Sequence, residues 1–595
     1  MTIIRASRCI AACAALAAVL VITHCGGAGP DPGRPLETAA QDQVETAALS
    51  SAEFDPDAPF AAVTRDRNAT LIGYRVLEAG GTAADAAFAI GVAISVSEPH
   101  FSHALGGGTW ALYYDSVEDS VSAIDGVGPA GSLVDVEFFR DPQRNTYLGM
   151  HRVIVPGAWD AWMVMLDQYG SMELDELLAP AITLAREGVA VTRSLAGFIL
   201  QEEQHIRRFA ETAEVFLPDG IPPGVGDTLY QHNLSDTLEL IAETYRTARP
   251  EGRSAALQAA RDVYYRGPIG EAIVAYSKRH GGFLTSEDFA GFEAEIVEPI
   301  STDYRDITVY SPPPNSQGIA MLMALNILEG FDFSGYEPDH PYVIHRVVEA
   351  TKLAKIDTWL SVGDPQFVDV PVDELLSAEY ADRQRRRIDP GEVITWPTHG
   401  GLARNHDTTT FSVLDRWGNA AAVTTSIGSQ FLIAGETGIN LNQRMANMET
   451  TEGNPNVIKP GKKVRHTVNP YMAFRGGSPF LFGGNTGFDT QPQGQIQQFL
   501  NVVEFEMSAQ QAVSWPRYIT HAFPSSTFPY EATNLLYLER GIAAQTRRAL
   551  TEIGHTIGGS AIIGNANLTM IGPFGATVTT GADPRGENLG LAGPQ

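Results

Sequence analysis

Cysteine is almost missing from this 595-residue chain, and its three copies, Cys9, Cys13 and Cys25, all lie near the N-terminus. The rest of the protein therefore has no disulfide, no thiolate metal site and no cysteine nucleophile. Basic residues are also in deficit: 41 Lys and Arg face 70 Asp and Glu, a formal net charge of −29. So acidic a surface repels phosphate backbones and argues against nucleic acid as a partner. No internal apolar run approaches the ~20 residues that cross a bilayer, which excludes a polytopic membrane protein. The glycine-rich runs Leu105–Gly108 and Gly483–Gly487 lack both the Lys-Ser/Thr of a phosphate loop and the dinucleotide spacing, so no nucleotide cofactor is expected. His100 and His103 have a spacing seen in helical metal pairs. They follow Pro99 in a loop with no carboxylate at ligand spacing, and no metal is expected there. What is present, 44% apolar and 19% charged residues, is the balance of a globular protein with a large core.

Along the chain, Arg5 and Arg8 precede an apolar run from Ile10 to Ile22, and Cys25 opens a Gly/Pro/Asp-rich stretch. Residues 1–24 read as an export signal. The segment resembles a bacterial lipoprotein signal, with Cys25 as the lipidated residue; ordinary signal-peptidase cleavage is the alternative. The expected location is the periplasm or cell envelope, anchored by lipid, or else secretion, with no other membrane association. Residues 25–58 are polar and aperiodic, a flexible tether. Structure is expected from about Phe60. A helix over Leu71–Ala79 stops at Gly80-Gly81, and Ala83–Ser97 is apolar nearly all round and therefore buried. A strand is predicted over Thr109–Tyr114. Helices then dominate: Ala158–Tyr169, Leu174–Glu187, Leu238–Tyr245, His340–Trp359 and Val372–Arg387. From Thr408 onward the rhythm changes to short β-branched strands with Gly/Asn turns, suggesting a helix-rich part before about 407 and a strand-rich part after it.

Thr408 to Leu414 reads as a strand, Asp415 to Asn419 as a turn and Ala420 to Thr425 as the returning strand. Centred on Trp417, this hairpin sets Thr408 and Ser426 opposite each other. Taken locally, two hydroxyls at a hairpin end need be no more than strand-edge decoration.

Nine segments in order make the chain from about Phe60 onward resemble the gamma-glutamyltranspeptidase family. Among them are EAGGTAADAAFAIGVAISVSEPH (Glu78–His100), LGGG (Leu105–Gly108), VPGAWDAW (Val155–Trp162) and LLAPAITLAREG (Leu177–Gly188). PPPNSQG (Pro312–Gly318), DTTTFSVLDRWGNAAAVTTS (Asp407–Ser426) and GETGINLN (Gly435–Asn442) belong to the same series. The resemblance implies an α+β fold, the four-layer αββα sandwich of N-terminal-nucleophile hydrolases. It implies self-cleavage between Asp407 and Thr408, giving a large portion, 59–407, and a small catalytic portion, 408–595, that remain partners. Thr408 would then be the nucleophile and its own α-amine the general base, so no separate His is needed. Ser426 matches a second hydroxyl that orients the nucleophile. Gly487 and Phe488 match a Gly-Gly pair whose N–H groups stabilise the oxyanion, with Phe488 in place of the second glycine.

The substrate clamp departs from the family. The segment Ile124–Pro129 lacks the Arg that forks onto the substrate α-carboxylate. At the other substrate-binding positions stand Gly428 for Asn, Arg444 for Gln, Asn447 for the Asp that holds the substrate amine, and His466-Thr467 for a Ser-Ser pair. Glu436 and Asn442 match. Arg444 or His466 could supply the missing positive charge. The expected activity is cleavage of gamma-glutamyl amides such as glutathione, with transfer to water or an amine and no cofactor. The alternatives are a non-glutamyl amide acylase of the same family and a non-catalytic ligand-binding surface lipoprotein.

Overall fold

The computed structural model describes residues 59–397, 408–428, 430–559, 563–572, 575 and 577–594. The export signal 1–24, the tether 25–58 with Cys25, and Asp407 lie outside the described residues.

Two antiparallel sheets carry the site. Their strands are β1 (Phe60–Thr64), β2 (Gly108–Asp115), β3 (Ser120–Gly126), β4 (Glu295–Val297), β5 (Ile300–Tyr304) and β6 (Ile307–Ser311), followed by β7 (Thr409–Leu414) and β8 (Ala420–Ser426). Then come β9 (Tyr471–Arg475), β10 (Ser478–Asn485), β11 (Ala566–Ile571), β12 (Val578–Ala582) and β13 (Leu589–Gly593). The first sheet runs β13-β1-β7-β8-β2-β3-β4 and the second β12-β11-β10-β9-β6-β5.

Alternation along β7 shows how these sequences select their layers. Phe411 and Val413 join the core that includes α1 (Arg67–Glu78) and α2 (Ala83–Ser97). Ser412 points the other way, its hydroxyl 2.9 Å from that of Thr569 on β11. Between the sheets lies a second core of Trp110, Leu112, Leu414, Met472, Phe474 and Phe482. The sheets approach closely at Gly484, where a Cβ would lie 2.2 Å from Thr410 Oγ1. On the far face of the second sheet, α3 (Ile319–Glu329), α4 (Pro341–Ser361) and α5 (Thr490–Val503) form a third core with β9 and β10. The layers are helix, sheet, sheet, helix: the expected αββα sandwich.

α2 begins at Thr82, whose hydroxyl accepts from Asp85 N–H while the Asp85 carboxylate accepts from Thr82 N–H, a capping box. All fifteen of its residues are buried, as the all-round apolar pattern predicts. Two expectations change. The 372–387 helix is broken into Val372–Leu375 and Ala378–Arg385, because the Ser377 hydroxyl caps a new helix by accepting from Tyr380 N–H. The change at 407 from helix-rich to strand-rich chain, though present, does not mark a boundary in the fold. β1 to β6 precede it, α5 follows it, and strands from both sides share both sheets, interleaved in the first.

Candidate active site

The hairpin β7–β8 pairs Thr409 with Thr425, so the next step of the register brings Thr408 opposite Ser426. On its other side Ser426 pairs with Gly108 of β2. The Thr408 hydroxyl donates to Ser426 Oγ at 3.3 Å, and both residues are fully buried. Ser426 Oγ also accepts from Gly428 N–H at 3.2 Å and from Arg444 Nη2. Gly428 is in the left-handed region (φ 88°), which lets its N–H turn back onto that oxygen. Gln491, at the start of α5, donates its Nε2 to Thr408 Oγ1 at 3.4 Å. One residue further along β7, Thr409 donates its hydroxyl to Glu98 Oε2 at 2.9 Å, and Glu98 is ion-paired with Arg65 at 3.0 Å.

The loop 487–489 follows β10. Gly487 has φ 99° and Phe488 has φ 48°, so the Phe that replaces a glycine adopts glycine-like backbone geometry. The Phe488 ring sits over the Arg444 guanidinium, 5.2 Å from ring centroid to Cζ. A cleft of about 670 Å³ has Gly487, Phe488, Thr490, Arg65 and Glu98 among its lining residues.

Arg444 has no exposed surface. Besides Ser426 it reaches Asn447 Oδ1 and Thr467 Oγ1, each at 3.4 Å, and its Nε has no hydrogen-bond partner among the described residues. Among the described residues no carboxylate lies within ion-pairing distance of it, and burial pulls its pKa down to about 9. His466 is buried as well. Its Nδ1 accepts from Val468 N–H at 3.1 Å, so in the neutral ring Nε2 carries the proton, and that nitrogen also lacks a partner among the described residues. Burial and the Arg444 charge hold His466 well below its ordinary pKa. Of the two candidates for the missing cation, only Arg444 is charged. Lys463 is no substitute, because it is paired with Asp125 at 2.7 Å in the segment where the family Arg is absent.

The structure thus gathers Thr408, Ser426, Gly428, Arg444, Asn447 and Thr467 through direct contacts, with Phe488 stacked on Arg444. Asn442 matches the family yet works as a loop staple: Oδ1 accepts from the backbone N–H of Ile154 and Arg444, and Nδ2 donates to the carbonyls of Gly106 and Ile154. Glu436 lies exposed on a short 3-10 turn, Gly435–Thr437, and makes none of the contacts that join the other residues, so it is not part of this group. Sequence reading missed Gln491 and Glu98. Glu98 lies inside a quoted motif and Gln491 four residues beyond the Gly483–Gly487 run, but only the fold shows that they reach Thr409 and Thr408.

His345, Glu349 and His555 bring three potential ligand atoms within 4.8 Å of one another. Lys352 Nζ occupies Glu349 Oε1 at 2.6 Å, Ile394 N–H occupies Oε2 at 2.8 Å, and His345 Nδ1 is 2.9 Å from His555 Nε2. Hydrogen bonds and a lysine charge account for this cluster, and a cation would have to displace them.

A threonine leading a central strand of an αββα sandwich, its hydroxyl held by a second hydroxyl and a glycine-rich loop nearby, defines an N-terminal-nucleophile hydrolase. The gamma-glutamyltranspeptidase family model matches residues 69–592, and the chain belongs to this family. It is 32% identical over 547 residues to a glutathione hydrolase proenzyme of Escherichia coli, covering 87% of this chain and 89% of that one. It is 31% identical over 547 residues to the acylase ACY 1 proenzyme of a Pseudomonas species, covering 89% and 93%. A crystal structure of cephalosporin acylase from Bacillus halodurans superposes with a TM-score of 0.79 at 29% identity, covering 91% of this chain and 97% of the other. The family is one of hydrolases and acylases, and its named members differ in substrate.

Proposed function

We propose that the protein is a self-processing N-terminal-threonine amidohydrolase for amides whose acyl part ends in a carboxylate, gamma-glutamyl amides such as glutathione among them. Buried Arg444 carries this reading. A fully desolvated guanidinium with no acidic partner among the described residues is an uncompensated charge, and a substrate carboxylate would complete it.

Cleavage between Asp407 and Thr408 frees an α-amine whose ordinary pKa is about 7.7–8.0. That amine accepts the Thr408 Oγ1 proton as Oγ1 attacks the amide carbonyl, and the backbone N–H groups of Gly487 and Phe488 receive the developing oxyanion. The resulting ammonium returns the proton to the departing amine. Water, or a second amine, then takes the acyl group from the threonine ester by the reverse sequence. Export, and lipid attachment at Cys25, complete the proposal.

A second reading, an acylase for non-glutamyl acyl groups, is favoured by Asn447. It fills the position that would pair with a substrate ammonium, and it hydrogen-bonds without charge. Three anilides separate the readings: gamma-glutamyl, its analogue lacking only the α-amine, and a neutral acyl group of equal length. Higher kcat/KM on the first supports the glutamyl reading, and tenfold preference for the second, about 1.4 kcal/mol, supports the acylase. Equal use of the neutral anilide would sink the carboxylate requirement common to both.

A further inference from the structure

Behind the 487–489 loop lies a buried polar relay that the proposed chemistry does not use directly. Lys355, on α4, is ion-paired with Asp489 at 2.6 Å, and both side chains are buried. The Asp489 carboxylate also accepts from Ser526 Oγ at 2.5 Å and Ser526 N–H at 2.8 Å. A second bond from Lys355 Nζ goes to Gln317 Oε1 at 2.7 Å. The other end of that amide, Nε2, donates to two backbone carbonyls: Thr467 at 2.6 Å and Phe488 at 2.8 Å. Gln317 N–H additionally donates to His466 O at 3.0 Å.

An amide can be turned end for end, and its orientation is set by its neighbours. An ammonium can only donate, so Lys355 compels Gln317 to present oxygen to it and both Nε2 protons to the two loops. With the amide reversed, Nε2 would face the ammonium and Oε1 would face two carbonyls, a repulsive arrangement at both ends. Phe488 meanwhile holds a left-handed backbone conformation that a side chain disfavours. Such a conformation persists only where its surroundings fix it.

On the reading that Thr408 is the nucleophile, we infer that Lys355 and Gln317 are positioning residues. Lys355 orients the Gln317 amide, and the amide staples the Thr467 and Phe488 carbonyls so that the Phe488 N–H stays aimed at the developing oxyanion. The relay acts on the transition state and leaves ground-state substrate binding alone.

Gln317→Glu tests this with no change in volume: the carboxylate keeps Lys355 but loses both donors. Lys355→Met removes the orienting charge, and Lys355→Arg restores a donor. The processed fractions are assayed on the carboxylate-bearing anilide, with thermal melting as a check on folding. Gln317→Glu and Lys355→Met are expected to lower kcat at least tenfold with KM within about threefold, and Lys355→Arg to recover part of kcat. A folded Gln317→Glu with wild-type kcat would overturn the relay, as would a raised KM at unchanged kcat. Should Lys355→Met fail to fold, Gln317→Glu alone decides. Wild-type protein that turns over no anilide and takes no acyl group on Thr408 overturns the nucleophile reading and the relay together. Active wild type with active variants overturns only the relay.

Discussion

Replacing Arg444 by Met isolates the charge on which the substrate reading depends. The guanidinium is fully buried and, among the described residues, contacts only neutral acceptors and has no carboxylate within ion-pairing distance. A carboxylate arriving there would form a dry charge pair, and losing one partner of such a pair costs about 2–5 kcal/mol. At 1.36 kcal/mol per tenfold, that is a factor of roughly 30 to 5,000. Arg444 also donates to Ser426 Oγ, so the variant should lose turnover on every substrate. The informative quantity is the ratio of kcat/KM for the carboxylate-bearing anilide to that for its neutral isostere, in which the shared loss cancels. That ratio should fall by at least the lower factor. A ratio changed less than threefold would refute the reasoning and assign Arg444 to orienting Ser426 alone. Melting of the unliganded protein supplies a second check. Removing a buried unpaired charge is neutral or stabilising when the space is refilled, so the variant should not melt lower than wild type.

Thr408→Ala should yield an unprocessed and inactive chain, read by denaturing gel and mass analysis; cleavage at the same bond would reassign the nucleophile. Phe488→Gly keeps the backbone N–H and relieves a positive-φ side chain, so kcat should stay within about tenfold of wild type in steady-state assay. Burial lowers the pKa of His103 and His555 to about 3, while their unfolded forms titrate near 6.5. On acidification below 6.5 the unfolded state gains protons that the folded state refuses, so denaturation at fixed temperature should show stability falling by up to ~1.4 kcal/mol per pH unit for each. Selectivity for the carboxylate anilide should be flat between pH 5.5 and 8, because His466 stays neutral; a decline as pH rises through 6.5 would mean that its imidazolium supplies the charge. Cys25→Ser should move the protein from membrane to soluble fractions, and unchanged association would point to another anchor.

Local signals were readable where one element determined them. The helix stop at Gly80-Gly81, the unbroken apolar run 83–97 and the Asp415–Asn419 turn all lie within single segments, and the hairpin symmetry about Trp417 already set Thr408 against Ser426. Which distant strands flank that hairpin was not readable, since nothing in β1 or β2 specifies β7 and β8 as neighbours. The same limit hid Gln491 and Glu98, which reach Thr408 and Thr409 respectively from 83 and 311 residues away. Motif identity likewise did not show that Glu436 sits on an exposed turn, apart from the residues in mutual contact. The Arg444 and His466 alternatives could be separated only in the structure, because both are buried and a sequence does not show that the Arg444 charge lies close enough to help keep the His466 ring neutral.

The interleaving of strands has a kinetic consequence. In the first sheet β7 and β8, from beyond residue 407, lie between β1 and β2, from before it. A break at 407–408 therefore leaves two polypeptides threaded through each other's hydrogen-bond ladders, neither owning a complete sheet. The uncut chain assembles this arrangement as one molecule, with each strand at high effective concentration for its neighbours. Once cut and unfolded, the pieces must find each other in solution, and reassembly becomes second order. Cutting would thus convert a reversible folding equilibrium into a one-way commitment, with the mature protein persisting through slow unfolding.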